Sequence, residues 1–258
     1  MSKTILAKGV DVSYAQGKIN WETASKNVDF AILRCGYGQD YTSQDDKQWN
    51  NNVTACEKYN VPYGVYLYSY ATTVEAAKNE AKHVLRLLKG HKPDYPVFFD
   101  MEEDRIAKLG KAKILEIAKA FCKCIEDAGF VYGTYANTNW YNNYLTDKWY
   151  DTKVKWLAQY YNKVTYKGHY DIWQYSDKGS VAGINANVDM NFCYLSFLEG
   201  DVDNDGKVTA ADARKILRVA AGLDDLDGQA ERNADVNDDN NITAADAREV
   251  LRIAANLE

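Results

Sequence analysis

Short apolar runs recur along the first 193 residues and predict a β/α barrel. Eight of them are rich in β-branched and aromatic residues, as strands are: KGVDVSY, DFAILRCGYG, YGVYLYSY, YPVFFDME, VYGTYAN, VKWLAQY, YDIWQYS and NVDMNFC. Helical patterns separate the earlier runs, and strands that alternate with helices indicate parallel pairing. The segments between the last three runs are too short for crossover helices, so we expect a regular first half and a reduced second half.

Two helical patterns have recognisable starts and ends. Thr72 and Glu75 have the spacing of a capping box, which predicts a helix that closes at Gly90. The stretch KAKILEIAKAFCKCIEDAG predicts a second helix that ends at Gly129. Its predicted apolar stripe consists of Ile114, Ile117, Phe121 and Ile125.

The fourth run, YPVFFDMEEDR, ends in a cluster of carboxylates. Asp100 and Glu102 are two residues apart, so a continuing strand points them to one side and Met101 and Glu103 to the other. Active sites of β/α barrels form at the C-terminal ends of the strands. A helix cap with a solvated loop is the structural alternative, but two inward acids at a barrel mouth each need a partner or a function.

Asp11 in the first run and Asp189 in the last belong to the same site if the barrel closes. Closure makes the first and last strands neighbours, so these two acids approach each other. Four carboxylates around one mouth raise one another's proton affinity by like-charge repulsion. Such an arrangement keeps one carboxylic acid protonated near neutral pH.

Composition excludes several classes of function. With 46% hydrophobic and 26% charged residues, the chain has an ordinary globular composition. It has no basic stripe for nucleic acid and no apolar run of a membrane span. Five cysteines, an odd number, argue against a disulfide framework. Cysteines and histidines are too scattered for a zinc site or a Cys–His nucleophile.

The C-terminal part is a separate acidic module with two similar loops. From Asp201 onwards there are 14 acidic and 7 basic residues. DVDNDGKVTAAD and DVNDDNNITAAD start 34 residues apart, each before a helix, and have calcium-loop spacing. Gly206 supplies the sharp turn of the first loop, and Asn240 replaces it in the second. The predicted ligands are Asp201, Asp203, Asp205, Lys207 (carbonyl), Thr209 and Asp212, then Asp235, Asn237, Asp239, Asn241 (carbonyl), Thr243 and Asp246.

Five stretches resemble the motifs of the family 25 glycoside hydrolases, the Chalaropsis-type lysozymes. GVDVSYAQGKINW, DFAILRCGYG, VPYGVYLYSYATT, FFDME and IWQYS with GINANVDMNF occur in order between about residues 9 and 194. The resemblance implies a TIM-like (β/α)5(β)3 barrel. It also implies an N-acetylmuramidase, which cuts the β-1,4 bond between N-acetylmuramic acid and N-acetylglucosamine in peptidoglycan.

The same resemblance implies the roles of individual residues. Glu102 matches the general acid, Asp100 its partner carboxylate, and Asp11 and Asp189 the flanking acids. Asp100 would act as a covalent nucleophile or stabilise an oxazolinium formed by the sugar's N-acetyl group; both routes retain configuration, and the spacing does not separate them. Candidates for stacking on sugar rings, with core packing as the alternative, are Tyr66, Tyr68, Tyr135, Trp173 and Tyr175.

The acidic module resembles a type I dockerin, a small all-α domain of two loop–helix repeats. Asp instead of Glu at loop position 12, no long helix before either loop, and the repeated TAADAR carry the likeness. The resemblance implies two structural calcium ions and a cohesin partner, with near-identical repeats allowing two orientations. The implied recognition residues are Ala210, Ala211, Arg214, Arg218, Ala244, Ala245, Arg248 and Arg252.

We therefore expect a hydrolase barrel over residues 1–198 and a dockerin over 199–258, joined by a short linker. Catalysis needs no cofactor in this interpretation, and the free protein is expected to be a monomer. The first residues show no signal peptide, which indicates a cytosolic protein or a chain without its leader. Because peptidoglycan and cohesins lie outside the membrane, we expect a secreted, scaffold- or surface-attached enzyme. The main alternative is a catalytically silent wall-binding protein, and a chitin-type hydrolase is a weaker one.

Overall fold

The computed structural model describes residues 3–226, 228–237 and 239–256 and contains two compact units. The barrel unit comprises residues Ala7–Cys193. The C-terminal unit comprises the described residues from Tyr194 onwards together with the short segment before Ala7. The domain boundary between residues 198 and 199 stays a prediction.

Eight strands form a closed barrel, which confirms the predicted fold class. Each strand pairs with the next in sequence, and the last returns to the first. The pairs from β1 to β7 are parallel, whereas β8 is antiparallel to both of its neighbours. The strands are β1 (Ala7–Val12), β2 (Phe30–Tyr37), β3 (Tyr63–Tyr68), β4 (Val97–Asp100), β5 (Tyr132–Asn137), β6 (Val154–Ala158), β7 (Ile172–Gly179) and β8 (Val188–Cys193).

The direction of β8 departs from the parallel pairing that the alternation of strands and helices predicts. A parallel connection needs a crossover of about a dozen residues or more, and the segment 180–187 between β7 and β8 is shorter than that. The described chain also has no helix between β6 and β7, which confirms the reduced second half.

Helices of the barrel unit follow the earlier strands. They are α1 (Trp21–Ala24), α2 (Trp49–Lys58), α3 (Val74–Leu87), α4 (Asp104–Ala107), α5 (Lys111–Asp127) and α6 (Thr138–Asn143). The capping prediction for α3 is wrong by one residue, because the side chain of Thr73, not of Thr72, accepts a hydrogen bond from the Ala76 amide at 3.1 Å. The apolar stripe of α5 is confirmed, since all four of its predicted members are buried.

Aromatic rings fill the barrel below its mouth. The ring of Trp156 meets those of Tyr66, Phe98 and Tyr135 edge-on, with centroids 5.8, 5.1 and 4.5 Å away. Glycine makes room for them, since a Cβ atom on Gly133 would collide with the ring of Phe98. This packing gives the mouth a rigid floor.

The C-terminal unit is small and helical. Its helices are α7 (Ala210–Ala220), α8 (Gly228–Ala234) and α9 (Ala244–Ala254). Capping boxes start α7 and α9, formed by Thr209 with Asp212 and by Thr243 with Asp246. Its buried core consists of Val202, Ala213, Ile216, Ala234, Ala247 and Val250. None of the described helices, here or in the barrel, has the length and apolar composition needed to cross a membrane.

Candidate active site

Asp11 and Asp189 form a pair where the barrel closes. They lie opposite each other in the β1–β8 register, as predicted, and a hydrogen bond joins their carboxyl groups. The Gln174 amide donates to Oδ2 of both, at 2.8 Å to Asp11 and 3.1 Å to Asp189. The Asn191 amide is a second donor to Asp11, at 2.8 Å. Two acids from the first and last strands of the barrel thus share one polar cluster.

Burial raises the pKa of both members of this pair. Asp11 is 5% exposed, and burial followed by the charge of Asp189 raises its pKa to about 8. The pKa of Asp189 rises to about 6 through burial and the charge of Asp177, while its hydrogen bond with Asp11 opposes the rise. Near pH 7 the pair therefore holds one proton, mainly on Asp11.

Asp100 closes β4 and faces the same mouth. It is 3% exposed, and its Oδ1 atom has no hydrogen-bond partner. Burial and then the charges of Glu102 and Asp11 raise the pKa of Asp100 well above its usual range, with Arg34 acting in the opposite direction. A buried carboxyl oxygen without a partner is costly for stability, which points to a function rather than a structural role.

Glu102 lies just beyond the end of β4 and is half-buried. Burial and then the charge of Asp189 raise the pKa of its carboxyl group. All four predicted acids thus interact around one mouth. A half-buried acid with a raised pKa has the properties of a proton donor that a substrate can reach.

The strand alternation predicted for the acidic segment ends at Asp100. Met101 is buried in the core. Glu103 was predicted to lie on the same side as Met101, and it does not. Instead, Glu103 accepts a hydrogen bond from the Tyr68 hydroxyl at 3.2 Å and pairs with Arg105 at 3.0 Å. Alternation fails there because β4 stops at Asp100 and α4 begins at Asp104.

The predicted sugar-stacking residues divide into two groups. Tyr66 and Tyr68 are half-buried, and the charge of Asp100 contributes to the raised pKa of each, which places both near the carboxylates. Tyr135 is also at the site, but it is buried and donates to Gln174 Oε1 at 2.9 Å.

Trp173 and Tyr175 are not brought together with the acids. They alternate with the inward Gln174 along β7, so they lie on its other face. Their rings pack with that of Phe192, and the Tyr175 ring stacks on it at a centroid distance of 4.2 Å.

A cleft next to the mouth contains residues that the sequence did not indicate. It encloses about 390 Å³ and is lined by Tyr14, Arg34, Tyr37, Ser43, Asp45, Asp46, Lys47, Tyr68 and Tyr70. The Arg34 guanidinium stacks on the Tyr14 ring at 4.7 Å, and its Nε donates to Asp46 at 2.7 Å. A lone arginine within the apolar run DFAILRCGYG was the available signal, because such a charge rarely enters a strand without a partner.

Gln174, Asn191 and Tyr160 are further residues of the mouth that the sequence did not indicate. The Tyr160 side chain is half-exposed, and its hydroxyl donates to Gln174 Oε1 at 3.0 Å. Burial and the charges of Asp189 and Asp11 raise its pKa. No local pattern marks these residues, since their contacts depend on barrel closure.

The two acidic loops of the C-terminal unit have matching internal hydrogen bonds. Asp201 accepts from the amides of residues 205 and 206 at 3.2 and 2.8 Å, and Asp235 from those of residues 239 and 240 at 3.1 and 2.8 Å. Gly206 and Asn240 both have positive φ angles, 84° and 63°, as predicted for the sharp turn.

The first loop fits a hard cation. Carboxylate oxygens of Asp201, Asp203 and Asp205 lie within 4.8 Å of one another. Three oxygen donors that converge in this way suit Ca²⁺, which takes six to eight such ligands. The other predicted ligands, including Lys207, Asn241 and the capping-box acids, stay predictions.

Comparison with known proteins agrees with both parts of the chain. The family model described as Glycosyl hydrolases family 25 matches residues 10–184, and the Dockerin type I domain model matches residues 199–253. Dockerin domains in general bind calcium.

Three relatives illustrate the likeness. The "Autolytic lysozyme" of Clostridium acetobutylicum is 24% identical over 86% of this chain and 69% of its own. The "Uncharacterized protein YegX" of Escherichia coli O157:H7 is 27% identical over 71% of this chain and 68% of its own. The modular autolysin LytC of Streptococcus pneumoniae, solved with a synthetic peptidoglycan ligand, superposes with a TM-score of 0.65 at 26% identity. That match covers 73% of this chain but only 46% of the longer autolysin.

The family model spans more than half of the chain, and the closed barrel carries the acids on which the motif resemblance rests. This chain therefore belongs to the family 25 glycosyl hydrolases.

Proposed function

We propose that the barrel is an N-acetylmuramidase that cleaves the β-1,4 bond between N-acetylmuramic acid and N-acetylglucosamine in peptidoglycan with retention of configuration. One observation carries this proposal. Asp100, buried with an unpartnered oxygen, lies two residues before the half-buried Glu102, and each contributes to one mouth of carboxylates. The lysozyme name of the clostridial relative and the peptidoglycan ligand of the pneumococcal one support the choice of substrate.

Glu102 is the proton donor in this mechanism. The proton moves from its carboxyl group to the glycosidic oxygen as the bond to the anomeric carbon breaks. Burial and the charge of Asp189 keep this proton in place at higher pH than usual. Once the leaving sugar has departed, ionised Glu102 takes a proton from the water that attacks the anomeric carbon.

Asp100 supports the positive charge that develops at the anomeric carbon. It acts as the attacking nucleophile or stabilises an oxazolinium formed by the N-acetyl group, and both routes retain configuration. Asp100 must be ionised for either role. Burial and the charges of Glu102 and Asp11 raise the pKa of Asp100, whereas the Arg34 guanidinium and a cation developing at the anomeric carbon act in the opposite direction.

The tyrosine-rich cleft next to the mouth would hold sugar units adjacent to the scissile bond. Tyr66 and Tyr68 remain in the proposed binding set, joined by Tyr70 and Arg34. Aromatic faces and a guanidinium suit the apolar faces and carbonyl groups of N-acetylated sugars. Trp173 and Tyr175 are not part of this proposal, because they lie on the other face of β7.

Release of reducing muramic acid ends from purified peptidoglycan tests the proposal. We expect activity from the native chain, at least about a thousandfold less from Glu102→Gln, and unchanged sedimentation of both with the substrate. Activity in neither protein, with binding intact, would favour the silent wall-binding alternative. Release of reducing N-acetylglucosamine ends instead would contradict the proposed bond.

We further propose that the C-terminal unit attaches the enzyme to a cohesin outside the membrane. The proposed recognition side chains Ala210, Ala211, Arg214, Arg218, Ala244, Ala245, Arg248 and Arg252 are all exposed on α7 and α9. Two Ca²⁺ ions, one in each acidic loop, would neutralise the loop carboxylates and fix the starts of these helices. Native gel shifts with cohesin domains, with and without chelator, test this attachment.

A further inference from the structure

We propose that Gln174 is a positioning residue: its carboxamide holds the carboxyl groups of Asp11 and Asp189 together, and it thereby governs the charge that Glu102 faces. This inference rests on the proposed role of Glu102 as proton donor. Gln174 itself is buried and has no part in the bond-breaking steps.

The carboxamide joins four groups of the mouth. Its Nε2 donates to Asp11 and Asp189, and its Oε1 accepts from the hydroxyls of Tyr135 and Tyr160. Its orientation is fixed chemically, because the Tyr135 and Tyr160 hydroxyls can donate to its oxygen, whereas ionised Asp189 can only accept from its nitrogen. A reversed amide would place its oxygen against the carboxylates.

Gln174 has a different role from Asn191, the other amide donor at the pair. Asn191 donates to Asp11, and its Oδ1 accepts from Trp156 Nε1 at 2.7 Å, so it anchors Asp11 to the aromatic floor. Gln174 donates to both acids. The charge distribution between Asp11 and Asp189 therefore depends on Gln174.

The charge on Asp189 is what connects the pair to Glu102. It is the main electrostatic contribution to the raised pKa of Glu102 after burial. The titratable or charged groups that act on the acids of the mouth are Asp11, Arg34, Tyr66, Tyr68, Asp100, Tyr135, Tyr160, Asp177 and Asp189. Gln174 is uncharged and donates directly to two of them, Asp11 and Asp189.

Loss of the carboxamide should shift two titrations in opposite directions. Without its two donors, the ionised pair is less stable, so Asp11 and Asp189 keep their protons to higher pH. Glu102 then faces less negative charge, and its pKa falls. A residue that only fills space would leave both titrations where they are.

Gln174→Met tests this inference in the full-length chain, because methionine has a similar volume and no amide. The basic limb of the kcat/KM profile on peptidoglycan reports deprotonation of Glu102, and we expect it to move to lower pH by about half a unit or more. Carbon-13 NMR of the aspartate carboxyl groups should show the Asp11–Asp189 titration moving to higher pH. Phe192→Leu, on the outer face of β8, is the matched control and should move neither.

Tyr160→Phe provides a second variant if Gln174→Met folds poorly. It removes one hydroxyl that orients the carboxamide, at a half-exposed residue, and should give smaller shifts of the same signs. Lower kcat with unchanged pH limbs and unchanged carboxyl titration would overturn the inference. The NMR titration needs no turnover, so failure of the proposed hydrolysis would not be confused with failure of this inference.

Discussion

Replacement of Asp11 by asparagine should stabilise the folded protein in a pH-dependent way. Asparagine has nearly the shape of the protonated aspartic acid that the structure favours at this position. Its oxygen can accept from Gln174 and Asn191, and its amide can donate to Asp189 as the Asp11 carboxyl does. The variant therefore keeps the hydrogen bonds and removes only the ability to ionise.

The size of the effect follows from the pKa of Asp11. Its ordinary value of 3.8 rises to about 8 on folding. Because the folded pKa lies above the unfolded one, the contribution of Asp11 to the free energy of unfolding is fully present below pH 3.8. This contribution is lost as the pH rises toward 8. At pH 7 this loss is about 4 kcal/mol as an upper bound, since each unit corresponds to about 1.4 kcal/mol. Repulsion shared with Asp189 reduces what one substitution recovers, so we expect about 2 kcal/mol.

Differential scanning calorimetry at fixed calcium concentration measures this gain. A stabilisation of about 2 kcal/mol raises the Tm of a domain of this size by roughly 4–8 °C. We expect that increase at pH 7 to 8 and almost none at pH 4. Asp104→Asn, at an exposed position in the first turn of α4, removes the same charge and should show no such pH dependence. An equal change in Tm at pH 4 and pH 8, or a lower Tm at pH 8, would refute the reasoning.

Four other predictions concern separate parts of the chain. Chelation of calcium should lower the Tm of the C-terminal transition and leave that of the barrel unchanged, because unneutralised loop carboxylates repel one another; a calorimetric trace without this shift would contradict it. Thiol labelling followed by mass spectrometry should modify Cys124 first, since the other four cysteines are buried. Gly133→Ala should lower the free energy of unfolding, measured with urea, by about 1–3 kcal/mol, because the alanine Cβ would collide with the Phe98 ring. Arg214→Ala and Arg248→Ala should weaken cohesin binding equally if the two repeats bind interchangeably, whereas a one-sided loss in calorimetric titrations would exclude that.

Much of the fold could be predicted because each strand is marked locally by its apolar run. The direction of β8 could not be read from its own residues, since it depends on the length of the preceding connection. The approach of Asp11 and Asp189 was predictable, because it requires only that the barrel close.

The faces of β7 were harder to predict, because this strand carries a buried polar residue on the side that faces the barrel interior. Its inward residue is the polar Gln174, and the aromatic Trp173 and Tyr175 face outwards. Hydrophobicity alone assigns these faces the other way round. The contact of Gln174 with Asp11 could not be predicted either, since the two residues are 163 positions apart in sequence.

The antiparallel return of β8 to β1 also bears on how the protein is made. A chain still under synthesis cannot form the Asp11–Asp189 pair until β8, near the end of the barrel unit, has emerged. Contacts between such distant residues carry a high loop-closure entropy and form late in folding. The carboxylate mouth is thus assembled only in a finished barrel, because it needs residues of both β1 and β8.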